Sequence, residues 1–356
     1  MTVLQVCAYG ASYAGNFIAS LEALEAELAK RNVRTIYAFV GRAGEQEWCK
    51  KIQQRTKVYY LSEAKARILP KTYEVFRKIY RENDISVVHS HFELYDIPAT
   101  VMAKPGTKIF WHLHDAIGEG YSKSGTLHRI LTRIQYGIVG KKATLLSVSR
   151  KHGEFAQSLG FPANQIIFTP NGIDLQRIKP VKLDVNSKKF LMLGWDILRK
   201  GVDIVVETAR ISAEDFQFVV VGYQDCKEYL EQNNAPGNIV FQEPVKDINA
   251  LYKDVRAFLH VSRAEGLSYA LLEVIYAGLP VICSDIPENQ FATAFANVEM
   301  VPVGDYKALS AAICRTLECS HVPTDSEQNY NRRLIEEQYS IKAWCKTICN
   351  HYGASV

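Results

Sequence analysis

Short apolar runs recur along the chain, separated by stretches whose apolar residues fall at helical spacing. In the first half, residues 3–8, 33–40, 58–61, 85–89, 109–113 and 143–148 read as strands, with helix-period segments between most of them. The first of those segments carries Phe17, Leu21, Leu24 and Leu28 on one stripe. The alternation restarts in the second half. Residues 190–193, 216–221, 239–241, 257–261 and 280–283 read as strands, with helices beginning near Val202, Cys226, Asp247, Ser268 and Tyr306. Strand and helix in turn predict α/β units built on parallel, doubly wound sheets.

Between the halves lies Pro170-Asn171-Gly172-Ile173-Asp174, which has turn chemistry, followed by a polar stretch over 176–189. This places a boundary near residue 180, giving domains 1–180 and 181–337. Residues 320–327 are polar and contain a proline, which reads as a loop, and 331–352 reads as one or two terminal helices.

Composition narrows the class. The 356 residues are 47% hydrophobic and 22% charged, enough for two globular cores. A net charge of +4, with no long block of one sign, points away from a nucleic-acid partner. No apolar run is long enough to span a bilayer, and the N-terminus lacks a signal-type pattern, so a cytoplasmic protein is expected. The eight cysteines include no C-x-x-C, which predicts reduced thiols and no structural zinc. Charge is uneven, however. Residues 50–81 hold ten Lys and Arg (Lys50, Lys51, Arg55, Lys57, Lys65, Arg67, Lys71, Arg77, Lys78 and Arg81) against Glu63 and Glu74, a candidate face for peripheral contact with an anionic membrane at its inner, cytoplasmic side.

Candidate chemistry collects at strand ends, where open α/β sheets place ligands. His89-Ser90-His91 and His112-Leu113-His114-Asp115 each close a strand-like run. Neither has the helical pair or cysteine partner of a zinc site, so hydrogen-bonding histidines are expected and no metal. Tyr9 to Gly15 is a small-residue loop between strand and helix, able to approach a phosphate but equally a plain turn. The most informative stretch is SRAEGLSYALLEVIYAGLPVICSD, 262–285, which reads as loop, helix, strand. Glu265 falls on the loop and Glu273 inside the helix, near an N-terminus that favours anions.

This string resembles the donor-site signature of retaining nucleotide-sugar glycosyltransferases of family 4. H-x-H, H-D and P-N-G-I-D stand where that family carries them, and the resemblance covers nearly the whole chain. It implies the GT-B fold, in which two Rossmann-like domains face each other across a cleft, the first lying on the acceptor side and completed by a C-terminal helix over 338–356. It further implies that the second domain binds the donor. Glu273 would hold the ribose, and the amides of Gly266, Leu267 and Ser268 would meet sugar or phosphates. Glu265 would lie by the sugar ring, His114 beside the donor sugar, and Gly15 near the diphosphate; Gly120 to Gly125 would border the acceptor. The family's G-R-x4-K-G motif stands here as Gly194-Trp195-Asp196-Ile197-Leu198-Arg199-Lys200-Gly201. Lys200 keeps its place, Trp195 replaces the arginine, and Arg199 is the candidate substitute on the diphosphate. His114, Lys200 and Glu265 are thus the catalytic candidates. The expected reaction is metal-independent transfer from a nucleotide sugar, of which UDP-sugars are the commonest, to a saccharide or lipid-linked acceptor, with no cofactor. The setting would be surface polysaccharide or glycolipid synthesis. A sugar-nucleotide epimerase of similar fold, or a degenerate partner subunit marked by Trp195, is the alternative.

Overall fold

The computed structural model describes residues 1–114, 121–122, 124–318 and 323–354. Asp115, parts of the Gly120–Gly125 and 320–327 stretches, and Cys319 lie outside the described residues. The chain divides into two compact units, Met1–Asp174 with Gln338–Val356, and Leu175–Glu337.

Unit 1 holds seven strands: β1 (Thr2–Cys7), β2 (Arg34–Val40), β3 (Val58–Leu61), β4 (Val87–His91), β5 (Lys108–Leu113), β6 (Thr144–Ser147) and β7 (Ile166–Phe168), in the order β3-β2-β1-β4-β5-β6-β7. Unit 2 holds six: β8 (Lys189–Leu193), β9 (Gln217–Val221), β10 (Ile239–Gln242), β11 (Ala257–His260), β12 (Val281–Ser284) and β13 (Val298–Val301), in the order β10-β9-β8-β11-β12-β13. All pairs are parallel. Helices cross between the strands, so the inner strands are buried on both faces. The order reverses between β1 and β4 in one unit and between β8 and β11 in the other. Such a reversal leaves a crevice at the carboxyl ends of the strands.

In unit 1, Val3, Val87, Phe110 and Leu146 share a core with Leu24 and Leu28 of the helix Gly15–Ala29 and with Trp344, Ile348 and Tyr352 of the helix Ile341–Tyr352. Side chains alternate along a strand, so Gln5, His89, His91, His112 and His114 continue this same sheet face toward the carboxyl ends. In unit 2 an apolar core is built on Phe190, Met192, Val205, Phe218, Leu259, Ile282 and Ile313.

Several elements differ from the sequence reading. Near Asp247 there is a single 3-10 turn, Ile248–Ala250, because the Asp247 carboxylate accepts the Asn249 amide and closes the chain on itself. β7 and β13 are strands of three and four residues with mostly half-exposed side chains, too short to show a period. A helix begins at Asp325, within the stretch read as a loop, where Thr324 and Glu327 bond reciprocally in a capping box. Seven cysteines among the described residues are free thiols.

Candidate functional site

In unit 2 the reversal crevice is lined by the loops after β8 and β11. The short helix Ile197–Lys200 ends at Gly201, whose φ of +78° puts it in the left-handed region. A Cβ there would lie 2.4 Å from the Val261 carbonyl, so glycine is required for the two loops to meet. Arg263 fastens them from the other side. Its guanidinium donates two hydrogen bonds to the Asp203 carboxylate, at 2.7 and 2.6 Å, and one to the Leu198 carbonyl at 2.5 Å, while its amide donates to the Arg199 carbonyl at 2.7 Å.

This clamp sets Lys200 against Glu265, Nζ to Oε1 2.6 Å, with both residues about 5% exposed (6% and 5%). Arg199 NH1 stands 3.6 Å from Glu265 Oε2 and donates through Nε to Asp196 at 2.6 Å. Burial alone would raise the Glu265 carboxyl, but the Lys200 charge, His260 and hydrogen bonds from Lys200 and Ser262 hold it down at about 2. His260 Nε2 lies 3.7 Å from the same carboxylate, and burial lowers that imidazole to about 4, so it stays neutral at pH 7. The Lys200 ammonium also sits 5.2 Å from the centre of the Trp195 ring. The residue that replaces the expected arginine is therefore beside the cation, although it supplies no charge of its own.

Ser268 caps the helix Tyr269–Ala277, its hydroxyl accepting the Leu271 amide at 3.4 Å. That use leaves Ser268 its amide, with those of Gly266 and Leu267, to meet a ligand. Glu273 lies one turn inside this helix, 5% exposed, with Arg177 Nε at 4.0 Å. The structure thus gathers Arg199, Lys200, Glu265, Gly266, Leu267 and Ser268 at one crevice and puts Glu273 on the helix that follows. Sequence reading missed His260, Arg263 and Arg177. His260 could have been found by the signal that marked His89 and His112, a histidine closing an apolar strand.

Unit 1 fills its reversal differently. Gly15, with φ +57°, opens the helix after β1, and Tyr9 OH donates to the Tyr13 carbonyl across the loop at 2.8 Å. On β4 and β5 the imidazoles pair. His91 Nδ1 is 2.9 Å from His114 Nε2, and His89 Nε2 is 3.2 Å from His112 Nδ1. His114 Nδ1 meets Asn171 Oδ1 at 2.9 Å, His91 Nε2 meets Gln5 Oε1 at 3.0 Å, and His89 Nδ1 meets the Tyr352 hydroxyl at 2.6 Å. Burial lowers all four pKa values, that of His114 to about 4 despite its bond to Asn171. Among the described residues, His89, His91 and His112 are the one trio whose ligand atoms come close enough for a metal, all within 4.8 Å. Five of their six ring nitrogens are already turned onto one another, His114, Gln5 or Tyr352.

The basic stretch 50–81 is less free than its sequence implies. Lys50 pairs with Glu47, Arg55 with Glu22 and Glu25, Lys57 and Lys78 with Glu82, and buried Arg67 with Glu93.

Two family models match the chain, Glycosyltransferase Family 4 over residues 20–177 and Glycosyl transferases group 1 over residues 187–319. The chain belongs to the family-4 glycosyltransferases. Among curated relatives, the amylovoran biosynthesis glycosyltransferase AmsK of Erwinia amylovora is 28% identical over 193 residues. That match takes in 48% of this chain and 46% of AmsK, so it spans about half of the relative's length. HepE of Anabaena, solved in complex with UDP, superposes with a TM-score of 0.79 at 14% identity, with 100% of both chains covered. Sucrose-phosphate synthase of Thermosynechococcus elongatus gives 0.79 at 15% identity, covering 99% of this chain and 98% of that one. At such identities these two establish the fold, GT-B.

Proposed function

We propose that this family-4 glycosyltransferase is a retaining enzyme that moves a sugar from a nucleotide-sugar donor, a UDP-sugar, to a hydroxyl of a saccharide or lipid-linked acceptor in surface polysaccharide synthesis. The buried Lys200–Glu265 pair with Arg199, at the strand-order reversal of unit 2 and beside the start of the helix Tyr269–Ala277, carries the reading. A pyrophosphate leaving group needs positive charge and amide donors held in place, and this crevice offers both. The family relation to AmsK and the UDP bound by HepE support the donor class.

Lys200 and Arg199 are assigned to the diphosphate, and Glu273 to the ribose hydroxyls. The amides of Gly266, Leu267 and Ser268 are assigned to phosphate or sugar, and Glu265 to the sugar, oriented by its two cations. From unit 1, Gly15 is assigned to the diphosphate and His114 to the donor sugar. Retention follows a front-face displacement. The bond from sugar C1 to the diphosphate oxygen breaks, the leaving oxygen takes the acceptor hydroxyl's proton, and the acceptor oxygen bonds to C1 on the same face. Glu265 is held anionic by Lys200 and is no proton donor, while buried His114 is a weak base, so the protein contributes position and charge. Metal independence rests on the same cations, which already meet the charge a divalent ion would neutralise.

Peripheral membrane contact belongs to the same proposal, on a different surface from residues 50–81. The helix Thr126–Gly137 and the residue after it expose Leu127 (63%), Ile130, Ile134 and Ile138 (65%) along one stripe, flanked by Arg129 and Arg133. No helix among the described residues is long and apolar enough to cross a membrane. Co-sedimentation with anionic vesicles should fall when Ile130 and Ile134 become serine; an unchanged bound fraction rejects this surface.

The function is tested by incubating the protein with a panel of nucleotide sugars in EDTA, with and without saccharide acceptors, and reading free nucleotide and product anomer. Acceptor-dependent nucleotide release with retained configuration is expected. A changed sugar epimer would mean an epimerase, and silence across the panel a degenerate subunit.

A further inference from the structure

The unit 1 histidines do not form isolated pairs. They are links of one hydrogen-bonded chain that runs from Asn171 through His114, His91, Gln5, Tyr352 and His89 to His112. Its contacts are 2.9, 2.9, 3.0, 3.1, 2.6 and 3.2 Å, the fourth being Gln5 Nε2 to the Tyr352 hydroxyl. Every member is 8% exposed or less.

A neutral imidazole has one donor nitrogen and one acceptor nitrogen, so each link dictates the next. With Asn171 Oδ1 toward His114 and Gln5 Oε1 toward His91, His114 must carry its proton on Nδ1 and His91 on Nε2. Two lone pairs would then face each other 2.9 Å apart. A neutral chain therefore has one amide turned end for end, a choice the heavy-atom positions leave open.

If Gln5 turns, all four protons sit on Nδ1, and His112 Nε2 becomes a buried lone pair with no partner. If Asn171 turns, all four sit on Nε2. The last of them, on His112, is as buried as that lone pair, and the Thr169 backbone is the neighbour that favours a proton on that ring. The second arrangement leaves no buried acceptor without a donor.

We infer that Gln5 and Tyr352 are positioning residues that close this one-way chain and so fix His114 as its Nε2–H tautomer with both ring nitrogens engaged. The step to transfer rests on His114 lying at the donor sugar; the tautomer does not. His114 then acts as a rigid, neutral wall beside the sugar instead of exchanging protons with it. Tyr352, at the end of the last helix, connects that helix to the site.

Long-range proton–nitrogen spectra of the full chain labelled with 15N-histidine read the tautomers directly. His89, His91, His112 and His114 should all report Nε2–H at pH 7.5. Tyr352→Phe removes the hydroxyl that both Gln5 and His89 use, and should give mixed tautomers at His114, three links away; Gln5→Met should do the same at His91 and His114 should Tyr352→Phe fail to fold. Each variant should slow transfer by roughly 10- to 100-fold with UDP affinity unchanged. Nδ1–H signals in the parent protein, or a change confined to His89 and His112, overturns the inference. The spectra decide this whether or not transfer is detected, so failure of the functional reading is distinguishable from failure of the chain.

Discussion

Where strand order reverses in unit 1, between β1 and β4, the crevice is backed by imidazoles that burial keeps neutral. At the corresponding reversal in unit 2, between β8 and β11, it is backed by a lysine and a glutamate 2.6 Å apart, with Arg199 behind. The same topology thus carries opposite electrostatics. Neutral rings supply directed hydrogen bonds whose polarity is set by neighbours, and an ion pair supplies a field. The proposed diphosphate asks for the second kind of surface, which unit 2 offers.

The largest break in this comparison is Lys200→Ala. It strips a buried carboxylate of its partner, which costs on the order of 3–5 kcal/mol when no group replaces it. Transfer should fall about 100- to 1000-fold, more than UDP affinity falls, since charge on the leaving phosphate grows in the transition state. Thermal melts should show a drop that Lys200→Met with Glu265→Gln largely restores. Equal loss of affinity and rate would argue that Lys200 binds donor and transition state alike.

Acid separates the units next. His114 has a folded pKa of about 4, below its unfolded value of about 6.5, so the unfolded state takes up the proton first and stability is lost as pH falls between those values. By pH 5 this amounts to about 2 kcal/mol for one such group. Unit 1 holds four lowered histidines in its chain, and the crevice of unit 2 holds His260. Glu265, with a folded value of about 2, contributes stability that stays intact above about 4.5 and disappears below it. Hydrogen exchange at pH 5 should therefore show β4 and β5 losing protection before β8 and β11. The reverse order would contradict the neutral reading of the imidazoles.

Glu273→Gln should act mainly on binding, raising the UDP Kd about 10-fold with a smaller change in rate, because ribose hydroxyls are the same in ground and transition states. Calorimetry with UDP and steady-state rates together check this. The smallest effect is expected at Trp195. Its ring adds a cation–π contact to Lys200, so Trp195→Ala should cost about 0.5–1 kcal/mol, a rate change of roughly twofold to fivefold. A larger loss would mean that Trp195 itself meets the donor.

Long buried strands were legible because an apolar run such as 257–261 has no other stable reading, and β7 and β13 were not because three or four half-exposed residues carry no period. The unit 2 crevice was partly legible. Lys200 and Glu265 stand inside recognisable strings, yet what joins them is Arg263 reaching Asp203, a contact sixty residues apart that no local pattern announces. The unit 1 chain was less legible still, since Gln5 and Tyr352 lie 347 residues apart and each looks like ordinary core until the sheet and the last helix meet.

The central claim is that the charged crevice of unit 2 receives the nucleotide diphosphate. Hydrogen exchange with and without saturating UDP tests it most directly. Protection concentrated in residues 196–201 and 262–273, reached in Glu273→Gln only at about 10-fold higher UDP, is the predicted result. UDP binding that leaves both segments unprotected contradicts it.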